Sequence, residues 1–307
     1  MDRRLTFVIV LFLSVATPRG NPLQKSISYV SNLYSIQNTI PTKEQYCSNL
    51  LHFNNVYYTL EVQRNISGMP ADMSVHWKTG NVFYTLISDS MRMSLQVLHD
   101  NGDVETVKTS GLGQSSAVDN INDIIYLATD NGIYKYDDKT KTAELYTAAK
   151  EDVMYIAVGD RGATIYIATW PQNRVHRITN NGTKQETFPP IPNGHGLTVD
   201  TNDNIYFVAA KTTYVLKNGE TVPTKINGLP DNIVTAGVAV GASGNVYVMD
   251  QNSDLYQLDP QNADARYTGS FTVNGVNSFA MDASDNILIG VKDSILKFIA
   301  HDTNPCQ

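Results

Sequence analysis

The chain is poor in the residues that most metal and disulfide chemistry needs. Of 307 residues only Cys47 and Cys306 are cysteine, so at most one disulfide can form, and histidine occurs six times. No H-E-x-x-H pair, G-x-S-x-G elbow or phosphate-binding loop is present. The stretch "GLGQSS" from Gly111 stops short of the dinucleotide pattern, lacking its last glycine and its helix. Bases are the minority, 23 against 30 acids, and a net charge of −7 repels a phosphate backbone. Nucleic acid is therefore not an expected partner. Past residue 16 no apolar run is long enough to cross a bilayer, so no membrane partner is expected either. A hydrophobic fraction of 42% with 17% charged residues is that of an ordinary globular protein.

The first residues have the pattern of an export signal. Arg3 and Arg4 precede the apolar "LTFVIVLFLSVA", Leu5 to Ala16, which is too short to span a membrane and suits a secretory core, with cleavage expected between Ala16 and Gly20. Residues 1–20 are read as a signal peptide, and residues 21–45 as a polar leader without a repeat. Loss of residues 1–20 removes three arginines and one aspartate, which takes the net charge from −7 to −9. In an oxidising compartment Cys47 and Cys306 are expected to bond, the alternative being two buried thiols. A bridge closing so long a loop would stabilise by ~5 kcal/mol on the chain-entropy argument. The triplets Asn65-Ile66-Ser67 and Asn181-Gly182-Thr183 are glycosylation acceptors in an exported protein, which makes Asn65 and Asn181 the expected sites.

What the chain does have is a repeat. "GLTVDTNDNIYFVA" from Gly196 is written again as "GVAVGASGNVYVMD" from Gly237, and related lines begin at Ser74, Ala117, Ile156 and Ser278. The residue in the Tyr206 slot is then Phe83, Tyr126, Tyr166, Tyr206, Tyr247 and Leu288, at separations of 43, 40, 40, 41 and 41. A period near 40 in a strand-rich chain is that of a propeller whose blades each hold four antiparallel strands. Within one unit, "GLTVD" alternates, "TNDN" turns, "IYFVA" is β-branched and aromatic, and "TYVLKNGETVPTKI" is two strands joined at Asn218-Gly219. Small residues such as Ala117, Ala157, Gly196, Gly237 and Ala239 fall on the innermost strand, where blades crowd. Large rings fall on the next strand, where blades diverge and need filling.

The fold class is therefore all-β, a six-bladed β-propeller over residues 46–307. Its sixth copy has room for only three strands, and "VYYTLEV", Val56 to Val62, is a strand left over before the first copy. The expectation is that this N-terminal strand completes the last blade and that Cys47–Cys306 locks the closure.

A signal peptide, one cysteine ahead of the first blade, one at the extreme C-terminus, and units of the "GxxxDxxDNIYFV" type resemble the insect ommochrome-binding proteins. A more distant likeness is to the senescence-marker/gluconolactonase-like and NHL-type six-bladed propellers. The likeness covers roughly residues 46–307. It implies a secreted haemolymph carrier, a monomer without cofactor or enzymatic activity, that binds a planar, tryptophan-derived pigment. The lactonases of this fold would instead hold a hard cation on a Glu, Asn and Asp set, and the amidating lyases would need three channel histidines for zinc.

Propellers host many activities, so the site must be read from residues. Ligands of such folds sit at one mouth of the central channel, lined by residues that begin the inner strand and end the second. The first set is Asp72, Gln114, Tyr155, His195, Thr235 and Asn277; the second is Asp130, Trp170, Ala210, Asp250 and Lys292. Trp170 and Tyr155 are expected to sandwich a flat ring while His195, Asn277 and Asp250 bond its edge, with Gln114 and Asp72 completing the lining. Asp72, Asn277 and Asp250 would be the oxygens of a metal-dependent lactonase, though the slots hold no Glu. A rim that binds another protein is the third reading.

Overall fold

Each ring of the repeat faces a small residue across the ladder. In the computed structural model, which describes residues 42–307, Phe83 pairs with Ser74, Tyr126 with Ala117 and Tyr166 with Ala157. Tyr206 likewise pairs with Thr198, Tyr247 with Ala239, and Leu288 with Ala280. A small side chain on the innermost strand lets neighbouring blades approach. The ring beside it fills the wedge that opens as they diverge, and Phe83, Tyr126 and Tyr206 are sealed from solvent.

Six sheets result, five of four strands and one of five, arranged as a six-bladed β-propeller. The inner strands are Met69–Val75, Gly113–Asp119, Val153–Gly159, His195–Val199, Thr235–Val240 and Ser278–Met281. The second strands are Val82–Ile87, Ile124–Thr129, Thr164–Thr169, Ile205–Ala209, Val246–Asp250 and Ile287–Val291. All six residues of the repeat slot therefore lie on second strands. The apolar core is divided into clusters that mix residues of adjacent blades, as where Phe83, Leu95 and Val97 of the first pack on Ile125, Leu127 and Tyr134 of the second. No blade covers its own faces, which is the physical reason for the repetition.

The recurrent Asp and Asn build turns. Asp200 accepts the backbone N–H groups of Asn202 and Asn204 at 2.8 and 3.0 Å, the Asn204 amide at 2.8 Å and the Tyr206 hydroxyl at 2.9 Å. Asn204 then accepts the N–H of Asn218 at 3.0 Å, tying the first hairpin to the next turn. Asp282 and Asn286 repeat the arrangement, with Asn286 accepting the Ala300 N–H at 2.9 Å. The most visible motif of the sequence is thus spent on hairpin geometry.

The ring closes as expected, with one addition. Val56–Asn65 runs antiparallel to the third strand of the sixth blade, Ser294–His301, from Tyr57↔His301 to Asn65↔Ser294. A fifth strand, Leu51–Phe53, folds back on it through Asn54 and Asn55, whose φ values of 52° and 61° suit a tight two-residue hairpin turn. Phe53 packs on Tyr58 and Phe271 at centroid distances of 4.9 and 5.2 Å. Gly269 admits this ring, since a Cβ there would lie 2.3 Å from it. Before the fifth strand, a short helix, Lys43–Cys47, brings Cys47 to Cys306, and the two are disulfide-bonded with Cα atoms 5.7 Å apart. The expected signal peptide, residues 1–20, and the expected leader up to residue 41 lie outside the described residues.

Candidate functional site: the channel mouth

The inner strands do not start cleanly. In five of the six blades one extra residue is inserted where the inner strand begins: between Ala71 and Ser74, Gly113 and Ser115, Val153 and Tyr155, His195 and Thr198, and Thr235 and Gly237. Bulges of this kind bend the strand and re-aim its side chains. Asp72 and Gln114 lie within the bulges, while Tyr155, His195 and Thr235 flank them. Asp72 takes a left-handed backbone, φ 48°. The sixth blade has no bulge, and there Asn277 precedes the inner strand, donating its N–H to Gly290 O at 2.8 Å.

Around these residues the blades are stitched to one another. Ser116 donates its N–H to Asp72 Oδ2 at 3.3 Å, and its hydroxyl meets that of Ser74 at 2.7 Å. The Ile156 N–H is donated to Ser115 Oγ at 3.3 Å, and Ser278 Oγ donates to Pro70 O at 3.0 Å. Gln114 Nε2 donates to Asp152 at 2.7 Å, and the Trp170 N–H is donated to the carbonyl of the same Asp152 at 2.9 Å. Trp170, in a cis peptide with Pro171, therefore stands beside the bulge of its own blade.

Electrostatics set this mouth apart. Burial pushes the Asp72 carboxyl up to about 6, against hydrogen bonds from Ser115 and Ser116 that hold it down. Burial, and then the nearby Asp72 charge, also push the Tyr155 phenol up. Burial pulls His195 below its usual value, which favours neutral imidazole. The Tyr155 and His195 rings lie 5.9 Å apart, tilted by 37°. Gln114 is only 7% exposed and its Oε1 has no hydrogen-bond partner; Thr235 Oγ1 is likewise buried and unpartnered.

The structure thus links Tyr155 to Asp72 through its charge and to His195 through ring contact, while Gln114 reaches across to Asp152 of the third blade. Asn277 joins them at one remove, through Ser278 and Pro70. Asp250 has another occupation. Its Oδ1 accepts the N–H groups of Asn252 and Asp254 at 2.8 and 2.9 Å, and its Oδ2 accepts from the Asn252 amide at 3.1 Å. It lines a separate cleft of about 310 Å³ with Pro230–Val234 and Tyr256. The serines that hold Asp72 were not singled out in the sequence. Their signal was the "QSS" run following the glycines from Gly111.

A hard cation needs several converging oxygens. With Asp250 committed to its turn, Asp72 is the one carboxylate left of the three oxygen donors, so the residues present do not fit such a site. Among the described residues, no group of three or more His, Cys, Asp or Glu side chains is placed to hold a metal ion.

Neither a protein-family model nor a curated protein matches the sequence. Solved structures do match the fold. A gluconolactonase from Xanthomonas campestris superposes with a TM-score of 0.61 at 12% identity, over 81% of this chain and 91% of that one. Virginiamycin B lyase from Staphylococcus aureus gives 0.53 at 14% identity, over 78% and 99%. A chain of a nidogen/laminin complex gives 0.54 at 14%, over 72% and 92%. This chain therefore has the fold of the gluconolactonase-like and NHL-type propellers. At such identities the likeness extends to the fold alone.

Proposed function

We propose that the chain is a secreted carrier whose channel mouth holds a planar aromatic small molecule of the ommochrome type. The observation that carries this reading is the mouth itself, where two rings, Tyr155 and His195, adjoin a half-buried carboxyl and an unpartnered amide oxygen. Flat apolar faces with a few polar groups at the edge are what selects an aromatic ligand. Trp170, beside the bulge that Tyr155 flanks, supplies a further face. The exposed Asn65 and Asn181 suit glycosylation in a haemolymph protein, and the closed, disulfide-sewn ring suits a monomer outside the cell. A metal-dependent lactonase is the weaker reading, because Asp250 is engaged in its own turn.

Titration with an ommochrome such as xanthommatin, followed by quenching of tryptophan fluorescence, tests the proposal. Saturable binding is expected, weakened at least about fivefold in Trp170→Ala with the melting temperature near wild type, as for loss of one stacking contact. Absence of binding, or hydrolysis of a model lactone abolished by a chelator, overturns it.

A further inference from the structure

The carboxyl at the mouth has fewer partners than each of the four fully buried acids among the described residues, Asp119, Asp200, Asp250 and Asp282. Asp282 is paired with Lys297 at 2.8 Å. Asp200 and Asp119 are each surrounded by turn N–H groups and an asparagine amide. Asp72 has two neutral donors, from Ser115 and Ser116, and takes part in none of the ion pairs among the described residues. A half-buried charge with only two donors is unfavourable, and asparagine would suit a left-handed backbone at this position at least as well. The acid works against folding, which points to a use outside the fold.

We propose that the ligand of this site carries a protonated amine and that Asp72 is its counter-ion, an inference that rests on reading the channel mouth as a ligand site. The other groups there agree. Gln114 Oε1, next in the chain to the Ser115 that bonds Asp72, is an acceptor with no donor. An ammonium brings three N–H donors to a place where acceptors are in surplus. The Tyr155 ring, beside His195, offers a π face of the kind that attracts a cation. The ligand class is thus a cationic aromatic amine rather than a neutral or anionic ring.

The test uses three probes with one ring system and different charge: tryptamine, N-acetyltryptamine and indole-3-propionate, titrated calorimetrically into the full chain at pH 7.5. Tryptamine is expected to bind about tenfold or more tighter than the neutral probe, the range of a charge-assisted hydrogen bond, and the anion more weakly still. Asp72→Asn is expected to remove this preference while retaining N-acetyltryptamine. Equal affinities for the three probes overturn the counter-ion and leave the aromatic mouth standing. Absence of binding by all three overturns both. A preference unchanged in Asp72→Asn also overturns the counter-ion, and should that variant not fold, the wild-type ratios decide alone.

Discussion

Replacing Asp72 by Asn measures how strongly the fold resists a charge at the channel mouth. The carboxyl lies at about 6 in the folded chain against an ordinary value of 3.8. A raised carboxyl contributes stability that is fully present below the unfolded value and is lost as pH rises through the folded one. The difference of about 2 units, at about 1.4 kcal/mol each, sets a ceiling of about 3 kcal/mol. Because Asp72 is only partly buried, about 2 kcal/mol is the better expectation. The titratable neighbours are Tyr155, which keeps its proton throughout, and His195, whose lowered value acts in the opposite direction. Its contribution is lost as pH falls, as is that of His176, also lowered by burial. The wild-type profile alone therefore mixes opposing slopes, but both histidines are present in the variant and cancel in the difference. Urea unfolding of the two proteins at pH 4, 5, 6 and 7 should show Asp72→Asn gaining about 2 kcal/mol on wild type across that range, almost all of it between pH 4 and 6.5. A gap that stays flat, or narrows as pH rises, refutes the argument that burial governs this acid.

Two further outcomes concern the scaffold. Joint replacement of Cys47 and Cys306 by serine removes a cross-link between residues 259 apart and should lower unfolding stability by up to about 5 kcal/mol. The eight-pair ladder between Val56–Asn65 and Ser294–His301 keeps the ring closed, so a native circular dichroism spectrum should survive, and a change under about 1 kcal/mol in urea unfolding contradicts the loop argument. Tyr206→Phe removes a buried hydroxyl that donates to Asp200 at 2.9 Å and should destabilise by about 1–2 kcal/mol. No shift in the denaturant midpoint would show that the phenol does not support the turn.

Much of the architecture is local in origin, and so was legible in the sequence. A strand states its faces through alternation and a hairpin its turn through Asn and Gly, so six copies at nearly equal spacing count the blades. The ring slot from Phe83 to Leu288 marks the same strand in each. The leftover strand at Val56 and the two cysteines marked the closure, because an incomplete last blade needs an outer strand. The fifth strand, Leu51–Phe53, was missed because three residues are too few to show alternation.

The channel mouth was decided elsewhere. The slots naming Asp72, Gln114, Tyr155 and His195 followed from blade geometry. That these residues start their strands at bulges did not, since one inserted residue shifts the phase of a strand without changing its composition. The serines that hold Asp72 lie more than 40 positions away in the chain, and Asp250 looked equivalent to its neighbours until its turn engaged both of its oxygens. Periodicity records which face a residue occupies. Only the closed ring, bringing six distant strand starts to one axis, decides which polar groups are satisfied by the chain and which are left for a ligand.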